Sequence, residues 1–167
     1  ISADDEYWRL VFAVTPFYAA GGGQVGDSGL IRVEVTPGAY AEFIVVDTQK
    51  EQDKIVHLVE KKGDFPRQAT SYTLKVTAPK RKMAAANHTA THLLQAALRR
   101  QLGTHLHQAG SLVSPERLRF DFTHYQRVDE DQLRQVEREV NQQIFDALPV
   151  EISEIDYQSA LDQGALA

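Results

Sequence analysis

Apolar and polar residues alternate through the first half of the chain with the two-residue period of β-strands. Trp8, Leu10, Phe12 and Val14 share one parity, and arginine or other residues stand between them. Because side chains on a strand point to opposite faces in turn, this pattern predicts a half-buried strand. The same reasoning predicts strands at 31–35, 40–47, 54–59 and 72–76, separated by turn-forming stretches such as 36–38 and 62–64. Short strands at this spacing, without helices between them, favour a small antiparallel barrel or sandwich, of which we expect the β-barrel.

The period changes at Pro79. Residues 80–102 are rich in Ala, Leu, Arg and Gln, which predicts a helix that starts after the proline and stops at Gly103. Short strands are expected at 110–113, 117–123 and 150–155, and a second helix at 130–147. That helix should begin at Asp129 as N-cap and bury a stripe of Leu133, Val136, Val140 and Ile144. We therefore expect an α+β chain: a β-barrel unit over 1–78, then a unit over 79–167 with an antiparallel sheet and packed helices.

Composition narrows the class of protein. The chain has 167 residues, 43% of them hydrophobic and 25% charged, as in ordinary globular proteins. It holds no apolar run of the roughly 20 residues that cross a bilayer, so we expect a cytoplasmic protein without a membrane partner. Cysteine is absent, which excludes disulfides and thiolate ligands within these residues. The first residue is Ile1 and the last ones, 157–167, resemble an interrupted helix, so we expect a fragment of a longer protein.

Charge favours local rather than general attraction to nucleic acid. The net charge of −5 argues against a chain that binds nucleic acid over its whole surface. Lys80, Arg81 and Lys82 nevertheless form a basic spot beside the predicted helix start, and Arg99-Arg100 forms a weaker one. We expect the first spot to contact a phosphate backbone, whereas the second could equally be a solvated helix face.

His88 and His92 lie four residues apart on the predicted first helix. Four residues make slightly more than one helical turn, so both imidazoles leave the same face and can meet one metal ion. Zinc suits such ligands. Two unrelated histidines remain the alternative. The residue after His88 is Thr89 rather than glutamate, which disfavours a metalloprotease, and the other histidines, His57, His105, His107 and His124, suit structural or surface roles better.

Residues 15–29 are unusually rich in glycine. Gly21, Gly22 and Gly23 permit backbone angles that other residues avoid and allow a ligand or another chain to approach closely. No Gly-Lys-Ser/Thr follows, so the stretch is not a P-loop. A tight connection with a bulge is one interpretation. In the other, Gln24 and Asp27 reach a neighbouring site. Gln108, at a strand entry, could do the same, because an amide both donates and accepts hydrogen bonds.

Four segments in this order, TPFYAAGGGQVGDSG, NHTATHLLQAALRRQLGTH, QAGSLV and LRFDFTH, resemble the editing region of alanyl-tRNA synthetases. Free-standing AlaX editing proteins and the editing domain of threonyl-tRNA synthetase are related to that region. The resemblance covers about nine-tenths of the chain. It implies a zinc-dependent aminoacyl-tRNA editing hydrolase within an alanine–tRNA ligase, which removes serine or glycine esterified to alanine tRNA.

The resemblance also assigns residues. His88 and His92 match the first half of the family's zinc site, and the second half, Cys-x-x-x-His, would lie beyond Ala167. Gln108 matches a pocket glutamine and Thr91 a pocket-lining threonine, while Ala20 stands where an acidic residue is usual. With half of the zinc site present, we expect this piece to bind zinc weakly and to be a poor hydrolase.

The implied editing reaction solves a problem of chemical selection. A pocket sized for alanine cannot strongly reject glycine or serine, so a second site that hydrogen-bonds the serine hydroxyl must remove the errors. Partners would be alanine tRNA and other synthetase domains, and ATP would serve only an upstream region. Two alternatives stay open: a non-catalytic module that positions tRNA or another domain, and an α+β domain whose histidines are ordinary.

Overall fold

The computed structural model describes residues 2, 3 and 6–165 as two antiparallel sheets and three helices. Six strands form the first sheet in the order β1-β2-β5-β4-β3-β6, and two form the second. The elements are β1 Ser2–Ala3, β2 Tyr7–Val11, β3 Gly29–Thr36, β4 Ala39–Glu51, β5 Lys54–Glu60, β6 Ser71–Val76, α1 Ala78–Leu102, β7 Gln108–Val113, β8 Leu118–Phe122, α2 Glu130–Phe145 and α3 Tyr157–Asp162. The expected α+β class is confirmed at this level.

The predicted β-barrel is wrong, because the six-stranded sheet is open. Its edge strands, β1 and β6, each pair with one neighbour within the described residues. The sheet still curls, since Phe12 after β2 meets Tyr72 on β6 with 5.7 Å between ring centroids. Phe65, in the loop before β6, lies 6.3 Å from Tyr72 and 4.6 Å from Phe43. Apolar side chains thus fill the gap that backbone hydrogen bonds would close in a barrel.

Strand β4 allows this curl. Its first half pairs with β3 and its second half with β5, and the register shifts between Val45 and Asp47. Such a bulge bends a strand and increases its twist. The residues on the inner face, Leu10, Ile31, Val33, Val45 and Val59, are fully buried and form the first core.

A second core lies between α1, α2 and the β7–β8 hairpin, and we call the parts of the fold around the first and second cores the first and second unit. Ala97, Leu98 and Leu102 of α1 pack with Leu106 and Val136. Gly103 ends α1 with a φ of 115°, as its position after the last apolar residue predicts. Asp129 begins α2 with a full capping box. Its side chain accepts a hydrogen bond from the Gln132 backbone N–H, and the Gln132 side chain accepts one from the Asp129 backbone N–H.

Two predictions about the last third are wrong. Residues 150–155 form no strand, since they pair with no other segment of the described chain. Of the α2 stripe, Val136 is buried, but the side chains of Leu133 and Ile144 are about half exposed. Ile144 borders an apolar groove with Leu93, Leu148 and Val150. The periodicity of the sequence predicted that these residues share one face of the helix. It could not predict whether another element covers that face. No helix in the described part of the chain is long and apolar enough to cross a membrane.

His57 of β5 is a buried structural histidine. Its Nδ1–H donates to the Leu10 carbonyl at 3.0 Å, and its Nε2 accepts from the Thr15 hydroxyl at 2.8 Å. The rings of Phe12 and Phe17 meet its imidazole edge-on, with centroids 5.3 and 5.1 Å away. Burial lowers the pKa of His57, and the hydrogen bond to Leu10 opposes that shift only in part.

This burial predicts a loss of stability in mild acid. The unfolded chain takes up a proton near the ordinary histidine pKa of about 6.5, whereas the folded chain resists it. The contribution of His57 is therefore complete above about pH 6.5 and falls as the pH drops towards the lower folded-state pKa. Urea unfolding at several pH values should show a smaller acid-induced loss in His57→Gln than in the wild type. Equal pH dependence of the two proteins would contradict this assignment.

Candidate functional site

Residues Gly21–Gln24 form a tight turn with two central residues, and we call it the glycine hairpin. The Gly21 N–H donates to the Gln24 carbonyl at 3.1 Å, and the Gln24 N–H donates back at 3.0 Å. The two central residues, Gly22 and Gly23, have φ angles of 57° and 81°. Positive φ at both central positions is the requirement of a type I′ turn, which glycine meets without steric cost. The glycine run is therefore needed by the backbone geometry of this turn.

The glycine hairpin docks on β7 of the second unit. The Val113 N–H donates to the Gly23 carbonyl at 2.8 Å, and the Val25 N–H donates to the Val113 carbonyl at 3.0 Å. A Cβ at Gly23 would lie 2.9 Å from the Ser111 carbonyl oxygen and closer still to the Ser111 hydroxyl. Only a glycine lets the two backbones come this close, so the pairing joins the two units at this point.

An ion pair between Arg81 and Asp27 fixes the start of α1 to the glycine-rich residues 15–29. The buried carboxylate of Asp27 accepts from the Tyr18 backbone N–H at 2.7 Å and from Arg81 Nε at 2.9 Å, and Arg81 makes a second, closer contact to it. Arg81 also donates to the Pro16 carbonyl at 3.0 Å. Arg81, expected from the sequence to contact tRNA, thus holds the helix to the sheet, whereas Lys80 and Lys82 are exposed.

The two candidate metal ligands lie side by side on α1. The rings of His88 and His92 have centroids 5.2 Å apart and planes that differ by 19°, as four-residue spacing on a helix requires. Partial burial, and secondly the charge of His88, lower the pKa of His92, which favours the neutral form that binds metals.

His88 has a partner in the other unit. Its Nδ1 lies 2.7 Å from Oε1 of Gln24, whose side chain is buried with 8% of the residue exposed. An amide oxygen can only accept, so the imidazole nitrogen is the donor. The glycine hairpin therefore places one of the predicted site residues, Gln24, in direct contact with another, His88.

The two predicted pocket residues differ in exposure: Thr91 is buried and Gln108 is exposed. Thr91 is 7% exposed, and its hydroxyl donates to the Asn87 carbonyl one turn earlier at 2.8 Å. Gln108 is exposed, and its amide donates to the Ser111 hydroxyl at 3.2 Å. Because Ser111 packs against Gly23, Gln108 reaches the glycine hairpin through this serine.

Asn87 is a site residue that the sequence reasoning missed. Its side-chain amide donates to the Ser114 carbonyl at 2.8 Å and holds α1 against the connection after β7. Asparagine is a poor residue for a helix interior, because its side chain competes for backbone groups. An asparagine directly before His88 was the signal that could have indicated a tertiary contact.

The donor set fits zinc as half of a site. Two imidazoles supply two of the four ligands of a tetrahedral ion. Within residues 2, 3 and 6–165, no group of three or more His, Asp or Glu side chains could hold a metal. His105 and His124 form a separate cluster, in which the ring nitrogens are 2.9 Å apart and Tyr125 packs on both rings.

Comparison with known proteins shows what the chain is similar to. Residues 2–78 match the family model for class II tRNA synthetases (A). Over nearly its whole length the chain is similar to alanine–tRNA ligases. It is 44% identical over 164 residues to that of Fusobacterium nucleatum and 46% identical over 159 residues to that of Streptococcus mutans, covering 98% and 95% of this chain. A third, from Thermotoga petrophila, is 41% identical over 165 residues.

The match covers a small part of these relatives. The chain spans 18% of the F. nucleatum and S. mutans enzymes and 19% of the T. petrophila one. It is thus similar to one segment of alanine–tRNA ligases.

The glycine hairpin gives a matched pair of substitutions. Gly22→Ala meets no atom within 4 Å, so only its positive φ should cost stability, about 1–2 kcal/mol. Gly23→Ala carries the same backbone cost and also collides with Ser111. Urea unfolding should show a larger loss for Gly23→Ala than for Gly22→Ala. Equal losses would mean that the hairpin does not dock on β7 as described.

Proposed function

We propose that this chain is the editing part of an alanine–tRNA ligase, which hydrolyses serine or glycine wrongly esterified to alanine tRNA. The contact of Gln24 with His88, beside His92, carries the proposal. It joins a pair of neighbouring imidazoles to a buried polar anchor at the junction of the two units. The homology to alanine–tRNA ligases supports the choice of tRNA, and the sequence resemblance supports the choice of reaction.

The site residues have distinct roles in this proposal. His88 and His92 would hold zinc as two of its ligands, and the ion, when bound, would act as a Lewis acid on the ester or its attacking water. Gln108 would read the serine hydroxyl, because its exposed amide can both donate and accept. The Ser111 hydroxyl orients that amide. Thr91, whose hydroxyl is bonded to the helix backbone, would line the pocket with its methyl group and shape it.

Alanine would be rejected by the same groups. Its ester lacks the hydroxyl, so polar atoms that the bound tRNA end shields from water would stay unpaired, at a cost of about 1–3 kcal/mol. This selection would complement a synthetic site that cannot exclude serine, and ATP would be used only by that other part of the enzyme. The expected location is the cytoplasm, where tRNA is charged.

A tRNA-positioning module without catalysis is the second candidate. The observation that favours it is the shortage of metal ligands in the described residues. The two candidates differ in whether a parent protein with the complete ligand set loses hydrolysis when His88 and His92 are changed. Editing at this site requires that loss. If the chain only positions tRNA, hydrolysis by another part of the parent protein should persist.

Deacylation of Ser-tRNA(Ala) by the parent protein tests the pocket. Gln108→Ala should reduce discrimination between the serine and alanine esters about tenfold, since the lost hydrogen bonding is worth about 1–3 kcal/mol. Gln142→Ala, which removes an exposed glutamine bonded to Asp146 on α2, is the matched control and should change nothing. Unchanged selectivity in Gln108→Ala would remove Gln108 from the pocket.

The basic spot divides into two kinds of residue. Lys80→Ala and Lys82→Ala should each lower the salt slope of tRNA binding by about one, because each removes one phosphate contact, without loss of stability. Arg81→Ala should instead cost about 1–3 kcal/mol of unfolding free energy, since it leaves the buried Asp27 without its ion-pair partner. Lys50→Ala, on the exposed part of β4, is the control for tRNA binding. A salt slope unaffected by either lysine change would contradict the docking site.

A further inference from the structure

We infer that Gln24 is a positioning residue, which fixes the tautomer of His88 so that Nδ1 carries the proton and Nε2 keeps the free lone pair. The inference rests on the proposed metal-binding role of His88 and deepens it. In this role the glycine-rich segment brings one amide oxygen to one imidazole nitrogen. In this role Gln24 acts through His88, whereas the sequence predicted that it lines the substrate pocket.

The tautomer follows from the chemistry of the contact. Oε1 of Gln24 lies 2.7 Å from Nδ1 of His88, and an amide oxygen has no proton to give. The proton of the neutral ring must therefore sit on Nδ1. Nε2, the nitrogen farther from the helix backbone, is then the only ring atom that can bind a metal. Metal-binding histidines commonly donate their other N–H in this way, which fixes the ring orientation.

The acceptor is itself held rigidly. The Gln24 backbone N–H and carbonyl are both used in the glycine hairpin. A parallel bridge joins Gln24 to Val113 of β7. Because the residue is 8% exposed, its amide oxygen would lose water without gaining a partner if His88 turned away. The fold thus holds this amide oxygen in place through the contacts of Gln24 itself.

Asn87 completes the arrangement from the helix side. Its amide donates to the Ser114 carbonyl one residue beyond β7. The end of β7, on which the glycine hairpin docks, is therefore also bonded to the residue next to His88. Neither donor nor acceptor can drift along α1 without breaking one of these contacts, so the 2.7 Å distance is set by the tertiary structure and not by the helix alone.

Nitrogen NMR of the 15N-histidine-labelled, metal-free 167-residue chain at about pH 8 tests the inference. Two-dimensional spectra distinguish the two neutral tautomers of each imidazole. His88 should show the Nδ1–H form, as His57 should, whose Nδ1 also donates to a carbonyl. His57 is thus an internal reference. An Nε2–H form of His88 in the wild type would overturn the inference without any substitution.

Variants at Gln24 test the cause. Gln24→Leu removes the acceptor at similar volume, so His88 should shift towards the Nε2–H form, and Gln24→Glu keeps an acceptor and should retain Nδ1–H. The His57 signals should stay unchanged in both, which also reports whether the fold is intact. If His88 keeps Nδ1–H in a folded Gln24→Leu protein, Gln24 does not set the tautomer. Should Gln24→Leu fail to fold, the wild-type and Gln24→Glu spectra decide the matter.

A zinc titration in the same spectra separates this inference from the proposed function. Zinc should shift the Nε2 signals of His88 and His92, with an apparent Kd about 10–100-fold higher in Gln24→Leu. A zinc response that is equal in the wild type and in Gln24→Leu would overturn the positioning role while leaving the metal site intact. A tautomer set by Gln24 together with no zinc response would sustain the positioning role and count against the zinc proposal.

Discussion

The whole site depends on the backbone pairing between the glycine hairpin and β7. Two hydrogen bonds, from Val113 to Gly23 and from Val25 to Val113, join a strand of the second unit to a loop of the first. This approach is possible only where a side chain is missing, because a Cβ at Gly23 would enter the space of Ser111. Without it, the imidazole pair on α1 would have no buried partner.

The pairing combines contributions that neither unit has alone. The second unit supplies two imidazoles on one helix face, and the first supplies the amide oxygen that orients one of them. The ion pair of Asp27 with Arg81 fixes the start of the same helix. The helix is therefore anchored to the first unit at two residues, Arg81 and His88. The charge of Arg81, which the sequence predicted to bind tRNA, is thereby paired with Asp27, and among the described residues the unpaired part of the basic spot consists of Lys80 and Lys82.

Local features of the sequence predicted much of this, and long-range ones did not. The first helix, its stop at Gly103 and the N-cap at Asp129 depend on neighbouring residues, and all three are confirmed. Barrel closure and burial of Ile144 depend on distant elements, and both predictions are wrong. The spacing of the histidines predicted a shared face, but the contact of His88 with Gln24 spans 64 residues and arises from the docked hairpin. Pattern can propose such residues as candidates; only the tertiary structure pairs them.

Native-state hydrogen exchange of the Val25 and Val113 amides tests the junction most directly. Both donate across the two units, so we predict that they exchange as slowly as amides of strands that are paired on both sides in the six-stranded sheet, such as that of Val33. Exchange as fast as that of the exposed Asp64 loop would mean that the hairpin leaves β7 freely, and the arrangement around His88 would then have no structural basis.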